Sequence, residues 1–508
     1  MMGELPVFCG KEKELKEAIQ KQEKITLDTT GIDFEQIKSA ASIALHMHQP
    51  LIPAGGTDLR SARIISNLQF MLEHLGEGDN HNAPVFQWCY QRMGKFIPEL
   101  LSQNKQPRVM LDYSGCLLYG FEQMRSRDIL DALNTLANDT ACRKATEFLG
   151  TAWGHTVAPS TPIQDFRLHV EAWQQHFGSL FGFEALSRVR GFSPPEMALP
   201  NHPDVAYAFV RTLLDCGYKW VLVQEHTVER PDGHPLSFKH IPHRLVCVNA
   251  NGEVASIIAI IKTQGSDTKL VGQMQPWYEA KGLNRIQFCG KALPPLVTQI
   301  ADGENGGVMM NEFPSKYFEV IRESSYSPTP VVNVSEYLAY LEQLGLKQED
   351  YPPIQPIHQH YLFQKFEPGD GTRKLSETIV KIKEENPRFS MEGGSWTNNI
   401  SWVKGYGDLL GPMERLSSLF YEKVLQKGIS SNEEKYRQAL FYLLVSETSC
   451  FRYWGTGLWT EYGKEICRRG IEFIEKIFRK NSSFIKTLRG YFKRFSLLCR
   501  PCLYHSSR

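Results

Sequence analysis

A chain of 508 residues, 42% hydrophobic and 22% charged, has an ordinary globular balance. It is long enough for two or three domains, or for one large barrel with an appendage. A formal net charge of +1 gives no global field toward nucleic acid or a membrane surface, so no nucleic-acid partner is expected.

The first predicted element is a charged helix over 10–24, within an N-terminal helical extension covering 1–35. Its opening, MMGELPVFCGKEKELKEAIQ, lacks the apolar core of a signal peptide, and no stretch approaches the ~20 apolar residues of a membrane span. A cytoplasmic location is therefore expected. From 36 onward, short β-rich runs appear at 43–47, 108–114, 219–225, 244–250, 254–261, 285–290 and 297–302. Several are apolar throughout, as in strands covered on both faces. Helical patterns such as 162–182 lie between them, which predicts an α/β fold with a mostly parallel sheet, closed or partly closed. Asn251-Gly252 joins two of the runs and predicts an antiparallel hairpin.

Past 330 the pattern turns helical. Ser335 as a cap, Leu338, Leu341 and Leu344 at helical spacing, and Gly345 as a stop predict a helix over 335–345. Residues 347–371 carry four prolines and two glycines and read as a linker or an ordered loop. Helices are predicted over 373–385, 407–427, 433–447 and 461–480. From Lys476 to the end there are nine Lys/Arg and no acid, with Phe484, Leu488, Tyr491 and Phe495 near helical spacing. This is either a basic amphipathic tail (481–508) that reaches an anionic membrane, or a last helix with a solvated basic face. The 11 cysteines are scattered and odd in number, which fits reduced, buried thiols rather than a disulfide framework. The single Cys499/Cys502 CxxC falls short of a zinc site.

Three stretches carry candidate chemistry. In SIALHMHQPLIPAGG (42–56), His46 and His48 are two apart, so on a strand they point to the same side. They hold a metal, hold a substrate, or fill a core. In TQIADGENGG (298–307), Asp302 and Glu304 stand where an apolar run ends in a Gly-rich loop, the place where a βα-barrel puts catalytic groups. Asp-Gly is also a common turn pair. In RVRGFSPPEMALP (188–200), Glu196 follows two prolines that limit its backbone, or it caps a helix start. Two carboxylates on rigid loops are what glycoside hydrolysis needs. The 28 Phe, 20 Tyr and 9 Trp suit a core and also suit sugar platforms.

With these motifs in order, the chain from about 40 to about 465 resembles glycoside hydrolase family 57, a family of retaining enzymes acting largely on α-glucans. HMHQP (46–50) matches the family's His-Gln-Pro motif. GTAWGHTVAPSTP, beginning at 150, matches a second segment and places His155 in its histidine position. GFSPPE matches the nucleophile motif at Glu196, with Phe192 where the motif has tryptophan, and ADGEN matches the acid/base motif at Asp302. GGSWTNNISWVKGY (393–406) and SETSCFRYWGTGLW (446–459) are similar to the family's Trp-bearing segments.

The resemblance implies an incomplete seven-stranded (β/α) barrel over 36–330, followed by a mainly helical C-terminal domain over 331–480 that walls the site. It implies Glu196 as nucleophile and Asp302 as acid/base, with carboxyls ~5–5.5 Å apart. Asp302 starts protonated, its pKa raised by burial and by the Glu196 charge. It implies His46, His48, Gln49, His155 and Glu304 as substrate-binding residues, His48 being the favoured sugar contact. Trp396, Trp402 and Trp454 are stacking candidates, and Asp112 is either a site residue or a turn cap. No cofactor is expected; the partner is an α-glucan or maltooligosaccharide. A carbohydrate-binding regulatory protein and a metal-dependent deacetylase or mannosidase are the alternatives. Zinc needs three or four ligands, and the sequence supplies no secure third beside His46 and His48.

Overall fold

The computed structural model describes residues 4–22, 25, 27, 30–263, 268–304, 311–396, 407–453 and 457–485. The fold is mixed α/β around a mostly parallel sheet. The strands that position the site are β1 (Ala40–Met47), β2 (Val109–Tyr113), β3 (Thr146–Phe148), β4 (Gly191–Phe192), β5 (Trp220–Gln224), β6 (His243–Val248), β7 (Val254–Lys262) and β8 (Leu296–Asp302). β1, β2 and β5 are buried along their whole length, as strands covered on both faces must be.

Parallel pairing runs β8–β1–β2–β3 on one side and β8–β7–β5–β4 on the other. β3 and β4 meet through an isolated parallel bridge, Gly150 to Phe192. There the Gly150 N–H donates to the Gly191 carbonyl at 2.9 Å, and the Ser193 N–H donates to the Gly150 carbonyl at 2.8 Å. Glycine is required at this seam. A Cβ on Gly150 would fall 2.0 Å from Tyr218 Oη, and one on Gly191 would fall 2.1 Å from Trp220.

The hairpin predicted at Asn251-Gly252 is present: β6 and β7 pair antiparallel, and Gly252 takes φ 83° at the turn. The run at 285–290 forms a strand, Ile286–Phe288, but pairs with Lys291–Leu293 in a separate two-stranded ribbon. Residues 347–371 are ordered, with Pro353–Pro356 adding parallel to β6. Ser335 is not the helix cap. Asn333 holds that position, its N–H donating to Glu336 at 2.8 Å, while the Ser335 hydroxyl donates to buried Glu147. Helices Gly407–Leu419, Glu434–Ser446 and Leu458–Ile485 pack on one another. Their apolar faces share one core with the sheet, running from Ile43 and Leu111 to Leu409, Leu440 and Ile466. Among the described residues no helix is long and apolar enough to cross a membrane. The basic tail from 486 onward lies outside the described residues.

Candidate active site

The C-terminal ends of β8, β1 and β2 lie side by side. Their register places His46 between Asp302 and Asp112, so a carboxylate, an imidazole and a carboxylate stand in one row. His46 Nδ1 donates to Asp112 Oδ2 at 2.8 Å. Burial alone would neutralise this ring. The Asp112 charge and hydrogen bond outweigh that, with Asp302 and Glu304 adding, and the His46 pKa is pushed up to about 10. A charged His46 has a second N–H, which it donates from Nε2 to His155 Nε2 at 2.8 Å. That assignment leaves the proton of neutral His155 on Nδ1, where it donates to Ser449 Oγ at 2.8 Å. Burial and the charge of the neighbouring histidines hold His155 well below the ordinary imidazole value.

The His155 ring stacks on His48 with centroids 3.9 Å apart and planes 10° apart. His48 already has both nitrogens engaged, Nδ1 with Ser114 Oγ at 2.7 Å and Nε2 with Cys450 Sγ at 3.4 Å. Gln49 is tied to Asn67, whose amide donates to its Oε1 at 2.7 Å. The opening histidines thus build a wall by hydrogen bonding and stacking, and His46 carries its charge. Among the described residues, no group of three or more His, Cys, Asp or Glu is arranged to hold a metal ion.

Glu196 sits on a sharp turn. Its backbone is left-handed at φ 58°, ψ 17°, and Met197 follows at φ 48°. Such a conformation in a non-glycine residue costs about 1–3 kcal/mol and persists only where the surroundings impose it. Pro194 and Pro195 on one side and Trp396 on the other do so here. Trp396 donates its indole N–H to Glu196 Oε2 at 2.9 Å and its backbone N–H to the Glu196 carbonyl at 3.1 Å. Glu196 Oε1 is 3.9 Å from His155 Nδ1, and the side chain is 11% exposed. Burial and the Asp302 charge push its pKa up to about 7, against the opposing His46 charge and the Trp396 bond.

The Asp302 pKa is raised by burial first; His46 opposes and Asp112 reinforces it. Asp112 thus adds a like charge beside that of Glu196, which Asp302 repels in turn. Glu304 accepts the His48 backbone N–H at 3.0 Å and is pushed up to about 8 by burial and Asp302. A Cβ on Gly303 between them would fall 2.2 Å from Met47 Cε, so the thioether end of Met47 would have to move. Buried Arg92 braces the loop through the Gly303 carbonyl at 3.2 Å.

Of the expected site residues, His46, His48, His155, Glu196, Asp302, Glu304 and Trp396 come together. Trp402 and Trp454 lie outside the described residues. Sequence reasoning left Asp112 undecided and missed Ser114, Ser449 and Cys450. It also missed Lys262, at the end of β7, whose ammonium lies 5.7 Å over the Trp396 ring. Burial pushes that lysine down to about 8.

No protein-family model matches the sequence, and no curated protein sequence matches it. The fold is similar to that of glycoside hydrolase family 57 enzymes, in keeping with the motif resemblance. A family 57 branching enzyme from Pyrococcus horikoshii superposes with a TM-score of 0.53 at 14% identity, over 87% of this chain and 92% of that one. The 4-alpha-glucanotransferase from Thermococcus litoralis gives 0.52 at 17% identity, over 85% of this chain. The match spans 57% of that enzyme's length. An exo-type maltose-forming amylase from Pyrococcus sp. ST04 gives 0.50 at 13% identity, over 87% of this chain and 81% of that one.

Proposed function

We propose that the protein is a retaining α-glucan-active enzyme, an amylase-like hydrolase or a 4-α-glucanotransferase or branching enzyme. Its frame is an incomplete seven-stranded (β/α) barrel over 36–330, followed by a helical C-terminal domain over 331–480. The ring of parallel pairings supports the barrel, and the two-residue β4 with its lone bridge to Gly150 supports its being incomplete.

One observation carries the mechanism. Glu196 is clamped by Trp396 and feels the Asp302 charge, so two buried carboxyls share one site. Two such groups cannot both ionise cheaply, and the pair holds a proton. The Trp396 and Ser449 hydrogen bonds favour the Glu196 anion, so the reacting form is the one with the shared proton on Asp302. Glu196 attacks the anomeric carbon while Asp302 gives its proton to the departing glycosidic oxygen, leaving a glycosyl ester. Asp302 then removes a proton from water or a sugar hydroxyl, which attacks that carbon and frees Glu196. Water gives hydrolysis; a second glucan gives transfer. Asp112-charged His46 and the His48–His155 stack wall the site and fix its charge. A cytoplasmic location is supported by the nine described cysteines, all free thiols.

The test is product analysis with amylose and maltooligosaccharides, comparing the unaltered protein with Glu196→Gln and Asp302→Asn. Shorter products mean hydrolysis; longer or branched ones mean transfer. Asp302→Asn is expected to lose about 10²–10⁴-fold in rate. Activity surviving in Glu196→Gln removes it as nucleophile, and intact glucans with the unaltered protein overturn the substrate class.

A further inference from the structure

A cavity of about 480 Å³ opens at the end of the sheet opposite the candidate active site. It lies along the seam where β3 and β4 meet through Gly150 and Phe192, and both strand entrances line it: Thr146 and Glu147 on one side, Arg188 to Arg190 on the other. We propose that this cavity is a binding site for a small organic anion with a phosphate or carboxylate head and a short body.

The lining charges carry the argument. Four cations, Arg143, Lys144, Arg188 and Arg190, converge on the cavity. Three acids share it, and each is accounted for. Glu336 is taken by Arg108, which is not part of the lining, in a two-point ion pair with N–O distances of 2.8 and 3.3 Å. Glu184 pairs with Arg143 and Arg188, but its side chain is 80% exposed, so water weakens both pairs. Glu147 accepts the Ser335 hydroxyl and N–H and faces the Arg190 charge, and burial pushes it up to about 7 against both, so it offsets part of one cation at neutral pH. The balance is positive. Guanidinium groups match phosphate and carboxylate oxygens two at a time.

Two further features define the occupant. The Thr146 hydroxyl is buried in the cavity wall with no hydrogen-bond partner, and a polar group in that state is one a ligand would satisfy. Leu136, Phe148 and Val189 give an apolar wall beside the cations, which suits an organic body more than a bare ion. Cations alone would make a solvated surface patch. Cations around a concave, half-open cavity with an apolar wall and an unanswered buried hydroxyl make a site. The location also matters. β3 leads to Gly150 and on to His155, and β4 leads to Glu196, so an occupant would rest on both strands that feed the opposite end.

The experiment is isothermal titration calorimetry of the full chain in phosphate-free buffer. The probes are inorganic phosphate, a hexose phosphate and succinate, and none needs glucan turnover. Saturable binding of at least one probe is expected, with the hexose phosphate and succinate distinguishing the head. Lys144→Ala combined with Arg190→Gln is expected to weaken it by about tenfold or more, the loss of charge-assisted bonds. Thr146→Val, close in shape, is expected to weaken it less, and Arg373→Gln, 92% exposed on another helix, to leave it unchanged. Lys144→Ala alone, at an exposed position, keeps the test valid if the double variant does not fold. No saturable binding of any probe, or binding that the cavity variants leave unaltered, overturns the proposal.

Discussion

Trp396 holds Glu196 at two points, side chain to side chain at 2.9 Å and backbone to backbone at 3.1 Å. The indole bond acts with the His46 charge and a Ser449 side-chain hydrogen bond to separate Glu196 from an ordinary buried, protonated carboxyl. Trp396→Phe keeps an aromatic ring beside Lys262 and removes that donor. A hydrogen bond to a charged group is worth about 1.5–3 kcal/mol. The Glu196 pKa is therefore expected to rise by about one unit or more from its value near 7, because the anion loses its partner. In a pH profile of kcat/KM on a maltooligosaccharide, the acid limb should move upward by that amount. A limb that stays in place would separate Trp396 from the charge state of Glu196.

The His46–Asp112 pair predicts a different signature. His46 is charged chiefly because Asp112 faces it, with Asp302 and Glu304 adding; burial pulls the other way. Asp112→Asn removes the largest charge opposing burial and leaves only the smaller Asp302 and Glu304 contributions, so the His46 pKa should fall from about 10 to the ordinary imidazole value or below. Nitrogen-detected NMR should then show a neutral His46 at pH 7 where the unaltered protein shows an imidazolium. Glucan activity should fall at pH 7 and recover in part as pH is lowered. An imidazolium that persists at pH 7 in Asp112→Asn would place the source of the charge elsewhere.

What the chain reveals by itself follows from the length of its patterns. β1, β5, β7 and β8 are five to nine residues long and mostly apolar, and could be read directly. β3 and β4 have three and two residues, too short for any period, and rest on Gly150 and Gly191 allowing close approach. Glu196, Asp302 and the three histidines were legible because each stands in a short motif at a strand end. Asp112 was not, since its meaning is its register against His46. Ser449 and Cys450 come from a helical segment about 400 residues beyond the first histidines, and no local pattern links those positions.

The seam itself is testable. Gly150→Ala places a methyl group 2.0 Å from Tyr218 Oη and close to the ring carbons behind it. Tyr218 is buried, so the clash must be relieved by backbone movement at the β3–β4 bridge. Overpacking of this kind costs about 1–3 kcal/mol, and the urea midpoint should fall accordingly. Gly411→Ala is the control. It lies in a helix with nothing within 4 Å of the added carbon, and should leave stability equal or raise it by about 0.5–1 kcal/mol. Equal midpoints for Gly150→Ala and the unaltered protein would mean that the seam is not tightly packed.

The buried acids set a direction for stability against pH. Burial beside Glu447 raises Asp165 to about 9, and burial raises Glu304 to about 8. Unfolded, both titrate near the ordinary carboxylate range. Between that range and the folded value, the folded chain holds protons that the unfolded chain has released, so stability falls as pH rises. His46, raised to about 10, acts in the same sense, because its contribution is full below the ordinary imidazole value and is lost as pH climbs toward 10. His48 and His155 are held low and act in the opposite sense, but only as pH falls below about 6.5. From pH 7 to 9 Lys262, pushed down to about 8 by burial, opposes the first group, but it is one residue against several, and buried thiols such as Cys116, pushed up to about 12, add to the decline. The free energy of unfolding, taken from urea titrations at pH 7, 8 and 9, should therefore decline. Asp165→Asn keeps the neutral, proton-bearing shape at every pH and should flatten that decline by about 1.4 kcal/mol per pH unit. It should leave the variant more stable than the unaltered protein at pH 9. A flat or rising curve for the unaltered protein would show that these acids are ionised and paired in the folded chain.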